Sequence, residues 1–101
     1  MKEDVIRHAY KFFEEKIIEQ ITKDNYFRFD NYSKCNTIVL IIFQFQDLYN
    51  KYPHGHNLKK VNSDIVDFTI TVSDKGEEYT FDVIIDIKQL VRKFKIKKIR
   101  K

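Results

Sequence analysis

Ile65-Val66-Asp67-Phe68-Thr69-Ile70-Thr71-Val72-Ser73, followed by Asp74-Lys75-Gly76 and, after Glu77, by Glu78-Tyr79-Thr80-Phe81-Asp82-Val83-Ile84-Ile85-Asp86, is the stretch that decides the fold. Both long runs are rich in Val, Ile, Thr and aromatic residues, and each alternates apolar with polar side chains. Alternate residues of a strand point to opposite faces, so this pattern predicts two half-buried strands. The Asp-Lys-Gly tripeptide between them predicts a tight antiparallel hairpin. Phe68, Ile70 and Val72 would share one face with Phe81, Val83 and Ile85. That face needs a helix to cover it.

Working toward the N-terminus, Pro53 to Ser63 is polar and turn-rich and reads as an exposed loop. Before it, Thr37 to Tyr52 fits two patterns. Its β-branched residues suit a buried strand over Ile38 to Phe45, whereas Ile38, Ile41, Ile42, Phe45, Leu48, Tyr49 and Tyr52 form a helical stripe. The helix is favoured, with Asn36 as its cap and Pro53 and Gly55 beyond its end. Tyr26 to Tyr32 alternates aromatic with polar residues, as a short strand or ordered loop does. Residues 4 to 22 predict an amphipathic helix, because Ile6, Ala9, Phe13, Ile17 and Ile21 recur at three- and four-residue steps. Lys11/Glu15 and Glu19/Lys23 then lie on its solvated side.

Working toward the C-terminus, the segment after Asp86 again has two readings. Ile87, Leu90, Val91 and Phe94 have helical spacing behind an Asp86 cap. Lys93, Lys95 and Lys97 alternate with Phe94 and Ile96, as in an edge strand whose lysines block unwanted pairing. The fold class expected from all of this is α+β. It has a long N-terminal helix, a second central helix, an antiparallel β-hairpin, and a basic C-terminal helix or edge strand.

Length and composition constrain the rest. The chain has 101 residues, of which 43% are hydrophobic, enough for one domain with one core over residues 1–101. Its longest apolar run, Ile38 to Phe43, falls far short of the ~18 residues of a membrane span. Met1-Lys2-Glu3-Asp4 leads into charged periodic sequence with no signal-peptide pattern, so a cytoplasmic chain is expected. One cysteine, Cys35, allows no internal disulfide, in keeping with a reducing compartment. The skew toward Lys, Ile, Asn, Phe and Tyr is that of AT-rich genomes, among them viruses and mobile elements.

Charge is divided along the chain. Residues 1–87 carry eleven basic and fifteen acidic residues and are −4 overall. The segment 88–101 holds Lys88, Arg92, Lys93, Lys95, Lys97, Lys98, Arg100 and Lys101 and no acidic residue, giving +8. Such a cluster attracts phosphates or an acidic protein surface. Tyr26, Phe27, Phe29 and Tyr32 would offer stacking faces to unpaired bases if they were exposed. The same C-terminal segment could lie on an anionic membrane surface through Ile87, Leu90, Val91 and Phe94, provided these leave the core.

The remaining chemistry is thin. His54-Gly55-His56 lacks a third ligand nearby in sequence, and His8 lies far from it. Cys35 beside Lys34 has no nucleophile signature around it. Glu14-Glu15 and Glu77-Glu78 suit solvated surface, while Asp82 and Asp86 share a strand face and are the one carboxylate pair that a metal-dependent nuclease would use. With Gly55 and Gly76 as its only glycines, the chain cannot build a Gly-rich phosphate loop. No catalytic residue, metal site or cofactor is assigned, and no small-molecule substrate is expected. The preferred expectation is a non-enzymatic protein that engages nucleic acid, or a machine bound to it, through the basic segment. The alternative is a phage- or mobile-element-type inhibitor or regulator acting by stoichiometric protein binding. Edge strands and Tyr-rich segments would also suit a homodimer.

Overall fold

The hairpin forms where the alternation places it. Strands β2 (Ile65–Asp74) and β3 (Glu77–Asp86) pair antiparallel, with Val66 opposite Ile85, Phe68 opposite Val83 and Ile70 opposite Phe81. Lys75 and Gly76 connect them with φ of 53° and 85°. Two successive positive φ angles are those of a type I′ turn, whose twist matches that of the flanking strands. Gly76 takes this conformation without strain, but Lys75 carries a Cβ and does not. Replacing Lys75 with Asn is expected to raise thermal stability by about 0.5–1 kcal/mol, because a short amide tolerates the left-handed region. Calorimetric melting checks this; an unchanged or lower Tm would contradict it.

The computed structural model describes residues 2–23, 26–49 and 55–99, with side chains described as far as Phe94. The order along the chain is α1 (Lys2–Lys23), a 3-10 turn (Tyr26–Arg28), α2 (Asn31–Tyr49), β1 (His56–Val61), β2, β3 and α3 (Ile87–Ile99). The sheet order is β1-β2-β3. The architecture is α+β, with α1 and α2 on one face of the sheet and, among the described residues, no helix laid across the other.

β1 lies inside the segment expected to be a loop. It pairs antiparallel with β2, from His56 opposite Ile70 to Val61 opposite Val66, with the register shifting between Leu58 and Lys60. The extra residue lets Leu58 and Val61 face the core although they are three apart. A search for two-residue periodicity passes over such a strand.

Two further expectations are corrected. Of the short strand and the ordered loop that Tyr26 to Tyr32 allowed, the strand does not form: the first part is the 3-10 turn and the last residues already belong to α2. The cap of α2 is Asp30, not Asn36. The Asp30 carboxylate accepts the Ser33 N–H at 2.8 Å, and its carbonyl accepts the Lys34 N–H at 2.9 Å. The Ser33 N–H contributes most, with the Ser33 hydroxyl and the Lys34 charge, to holding the Asp30 carboxyl below the usual aspartate range.

The core lies between the helices and the sheet. α1 supplies Val5, Ala9, Phe13 and Ile17, α2 supplies Ile38, Ile41, Ile42 and Phe45, and Val66, Phe68, Ile70, Val72, Phe81, Val83 and Ile85 come from β2 and β3. Ile6 and Ile21 lie partly buried at its margin, whereas Leu48 remains 60% exposed. Tyr52, Pro53 and His54 fall outside the described residues. Along the rim of β3, the Ile84 N–H donates to the Tyr10 hydroxyl of α1 at 3.1 Å.

β3 runs directly into α3, which settles the last ambiguity in favour of the helix. Asp86 caps it, accepting the Gln89 N–H at 3.1 Å, and Ile87 and Leu90 are buried. The edge-strand reading of residues 93–97 fails because docking this apolar stripe requires helical spacing.

Candidate nucleic-acid interface

The groove beside α3 is built by three pieces of chain locked to one another. In the turn between β1 and β2, the Asn62 side-chain oxygen accepts the N–H groups of Asp64 and Ile65 at 2.8 and 2.9 Å. The Tyr26 hydroxyl donates to the Asn62 carbonyl at 3.0 Å, and the Ile87 N–H donates to the Asp64 carbonyl at 2.9 Å. Tyr26 is fully buried, and burial, with a smaller contribution from nearby Cys35, pushes its hydroxyl pKa up to about 12. Buried Lys34 donates to the Phe29 carbonyl and lies 5.4 Å from the centre of the Tyr26 ring. The 3-10 turn, the β1–β2 turn and the start of α3 therefore form a fixed corner.

That corner holds a shallow, wide-open cavity of about 350 Å³ lined mostly by apolar surface. Ile87 and Val91 contribute from α3, and Phe27, 43% exposed, stands at the side. Ser63 and Asp64 border it from the turn, and Lys88 and Arg92 from α3. Lys88 and Arg92 are one helical turn apart and both exposed. The Lys88 ammonium approaches the Asp64 carboxylate at 3.7 Å; with both side chains about two-thirds exposed, water screens this pair and leaves the lysine able to exchange partners.

Lys93 faces a different neighbour. It borders a second groove, of about 330 Å³, with Glu14 and Glu15 of α1. The cations of α3 whose side chains are described thus divide, two beside the Phe27 cavity and one toward Lys11, Glu14 and Glu15 of α1. The side chains of Lys95, Lys97 and Lys98, and the whole of Arg100 and Lys101, lie outside the described residues.

Comparison with protein-family models, curated proteins and solved structures finds no match for this chain. The chemistry of the site is accordingly read from its own residues.

The other sequence candidates are accounted for by local structure. Asp82 accepts hydrogen bonds from the Thr69 hydroxyl across the hairpin and from the Lys59 ammonium at 3.0 Å, which hold its carboxyl below the usual range. Asp86, four residues on, is occupied in capping α3. His8 pairs through Nδ1 with the Tyr49 hydroxyl at 2.6 Å, and His56 packs edge-on against Phe43 at 5.5 Å. Cys35 is half-buried on α2. Among the described residues no group of three or more His, Cys, Asp or Glu could hold a metal, and no helix is long and apolar enough to cross a membrane. The membrane-surface reading required Ile87 and Leu90 to be free, and both are buried in the core. Of the four aromatics in the Tyr26–Tyr32 segment, Tyr26 is buried, Phe29 is half-buried and Tyr32 is exposed on α2; Phe27 alone lines the cavity beside α3.

Sequence reading missed Phe27, Ser63 and Asp64 as partners of α3. A faint signal existed: Phe27 is followed by Arg28, and Asn62-Ser63-Asp64 is a strong turn former. Nothing in their spacing showed that the two segments meet.

Proposed function

We propose that this chain is a non-enzymatic binding protein that engages nucleic acid through the basic side of α3. The observation that carries this reading is the exposed Lys88/Arg92 pair, set one turn apart on a docked, capped helix and on the side away from Glu14 and Glu15. Every charged side chain beyond the pair in the sequence is a further cation. A rigid helix carrying such a pair presents charge at a spacing that phosphates can follow, and binding of this kind is electrostatic and sensitive to salt.

The test is Lys88→Gln/Arg92→Gln, with binding to labelled nucleic acid followed by fluorescence anisotropy across a salt series. Substitution is preferable to truncation, because Phe94 borders the α1 groove and its removal would disturb packing. The double variant should bind at least about ten-fold more weakly at low salt. Its log–log salt slope should fall by roughly 0.7–0.9 for each phosphate that the variant no longer neutralises. Affinity and slope equal to those of the unaltered protein would end the proposal.

A second reading, stoichiometric protein binding, is favoured by α2. Its solvent side carries Leu40 at 61%, Phe43 at 40% and Leu48 at 60% exposure, with Asp47 as the charged residue among them. A complex that survives nuclease treatment and high salt would select this reading instead.

A further inference from the structure

We infer that the cavity beside Phe27 takes one unpaired base of a nucleic-acid strand, so that the ligand of the α3 face is single-stranded; this rests on the nucleic-acid reading above. The cavity lies within the usual range of ligand clefts, about 300–1,000 Å³, and offers the two elements that unpaired strands require. One is a partly exposed aromatic ring, Phe27, at the side of a depression to which Val91 adds half-buried apolar surface above the buried Ile87. The other is a pair of cations at the mouth, Lys88 and Arg92, for the flanking phosphates. A duplex meets the second requirement but not the first, because its bases are already stacked and paired.

The rim also orients the guest. Asp64 borders the cavity and repels phosphate, but its carboxylate can accept a hydrogen bond from a base N–H. The base edge therefore turns toward Asp64 and the sugar-phosphate chain toward Arg92. The Asn62 turn and the Tyr26 hydroxyl fix the wall opposite α3, so the cavity exists before the ligand arrives and little ordering accompanies binding.

The experiment compares a fluorescein-labelled single-stranded oligonucleotide of mixed sequence with its duplex, using the full chain and Phe27→Leu, Phe27→Tyr and Lys88→Gln/Arg92→Gln. Phe27→Leu should weaken single-strand binding between about five- and one-hundred-fold, the loss of one stacked base, with the salt slope unchanged. Phe27→Tyr should restore it, and duplex binding should not respond to either. The double charge variant should weaken both probes. Single-strand affinity indifferent to Phe27→Leu overturns the stacking site while leaving the basic-face reading intact. Binding of neither probe, together with capture of an acidic aromatic peptide that Phe27→Leu abolishes, overturns both. As a readout independent of any variant's folding, ultraviolet crosslinking of the unaltered complex should place the strand on the peptide containing Phe27; crosslinks confined to other peptides would dispose of the site.

Discussion

Phe13→Ala is expected to lower stability by about 3–5 kcal/mol, because it empties the point where three elements meet. The Phe13 ring is fully buried, with its centre 4.8 Å from that of Phe68 on β2 and 5.5 Å from that of Phe45 on α2. Edge-on and tilted pairs of this kind add to the transfer free energy of burial. Backbone at the site is pinned on both sides by helix and strand, so collapse around the void would be incomplete. Domains commonly have only about 5–15 kcal/mol in total, so the variant should be near the limit of folding. At roughly 4–8 °C per kcal/mol for a chain of this size, its Tm should fall by at least about 12 °C. A calorimetric Tm within a few degrees of the parent would show that Phe13 does not join the helices to the sheet.

Gln46→Leu should cost about 1–3 kcal/mol, although the new side chain is apolar and of similar size. Gln46 is only 1% exposed, and its amide nitrogen donates to the carbonyls of Thr71 and Gly55 at 3.0 and 3.2 Å. The Gly55 carbonyl also accepts the Thr71 N–H at 3.0 Å, so the substitution falls mainly on the Thr71 carbonyl. That acceptor lies beneath α2, and leaving it without its donor carries a desolvation cost that added apolar packing does not offset. Urea unfolding would give the magnitude. Native-state hydrogen exchange should show reduced protection at Thr71 and along β1, and a uniform reduction across the sheet would argue that the amide is not the clamp holding β1 in place.

The hairpin and the first helix were plain in the sequence because each repeats a single period over many residues, whereas the β-branched run of the central helix fitted a strand as well as the helix that forms. Spacing alone places Ala9, Phe13 and Ile17 on the core side of α1, and Phe68, Ile70 and Val72 on the core side of β2, where all six are buried. β1 was hidden because the shift between Leu58 and Lys60 breaks its alternation and because Lys59 and Lys60 resemble loop residues. Both lysines suit an edge, where charge and irregular pairing discourage further strand addition. The cap of α2 was misplaced because Ser33, Lys34 and Asn36 look like the approach to a helix, whereas Asp30 had already begun it.

The candidate interface was half legible. That the segment from Lys88 onward is a cation-rich amphipathic element was plain from its sequence. The division between Lys93 beside α1 and Lys88 with Arg92 beside Phe27 depends on which elements flank α3, and that is a property of the tertiary arrangement. The same holds for Phe27, which approaches Ser63 and Asp64 only because Tyr26 is buried beneath the β1–β2 turn.

The hydrogen bond between Tyr10 and Ile84 joins residues 74 positions apart. At a synthesis rate of roughly 5–20 residues per second, the ribosome makes the first of them about 4–15 s before the second. For that interval the apolar side of α1, with Phe12, Phe13 and Ile17, has no β3 to rest on. The hairpin, by contrast, can zip as soon as it leaves the exit tunnel. The opening helix is therefore complete well before the sheet it rests on, and during those seconds its apolar side is the surface a nascent-chain chaperone would find.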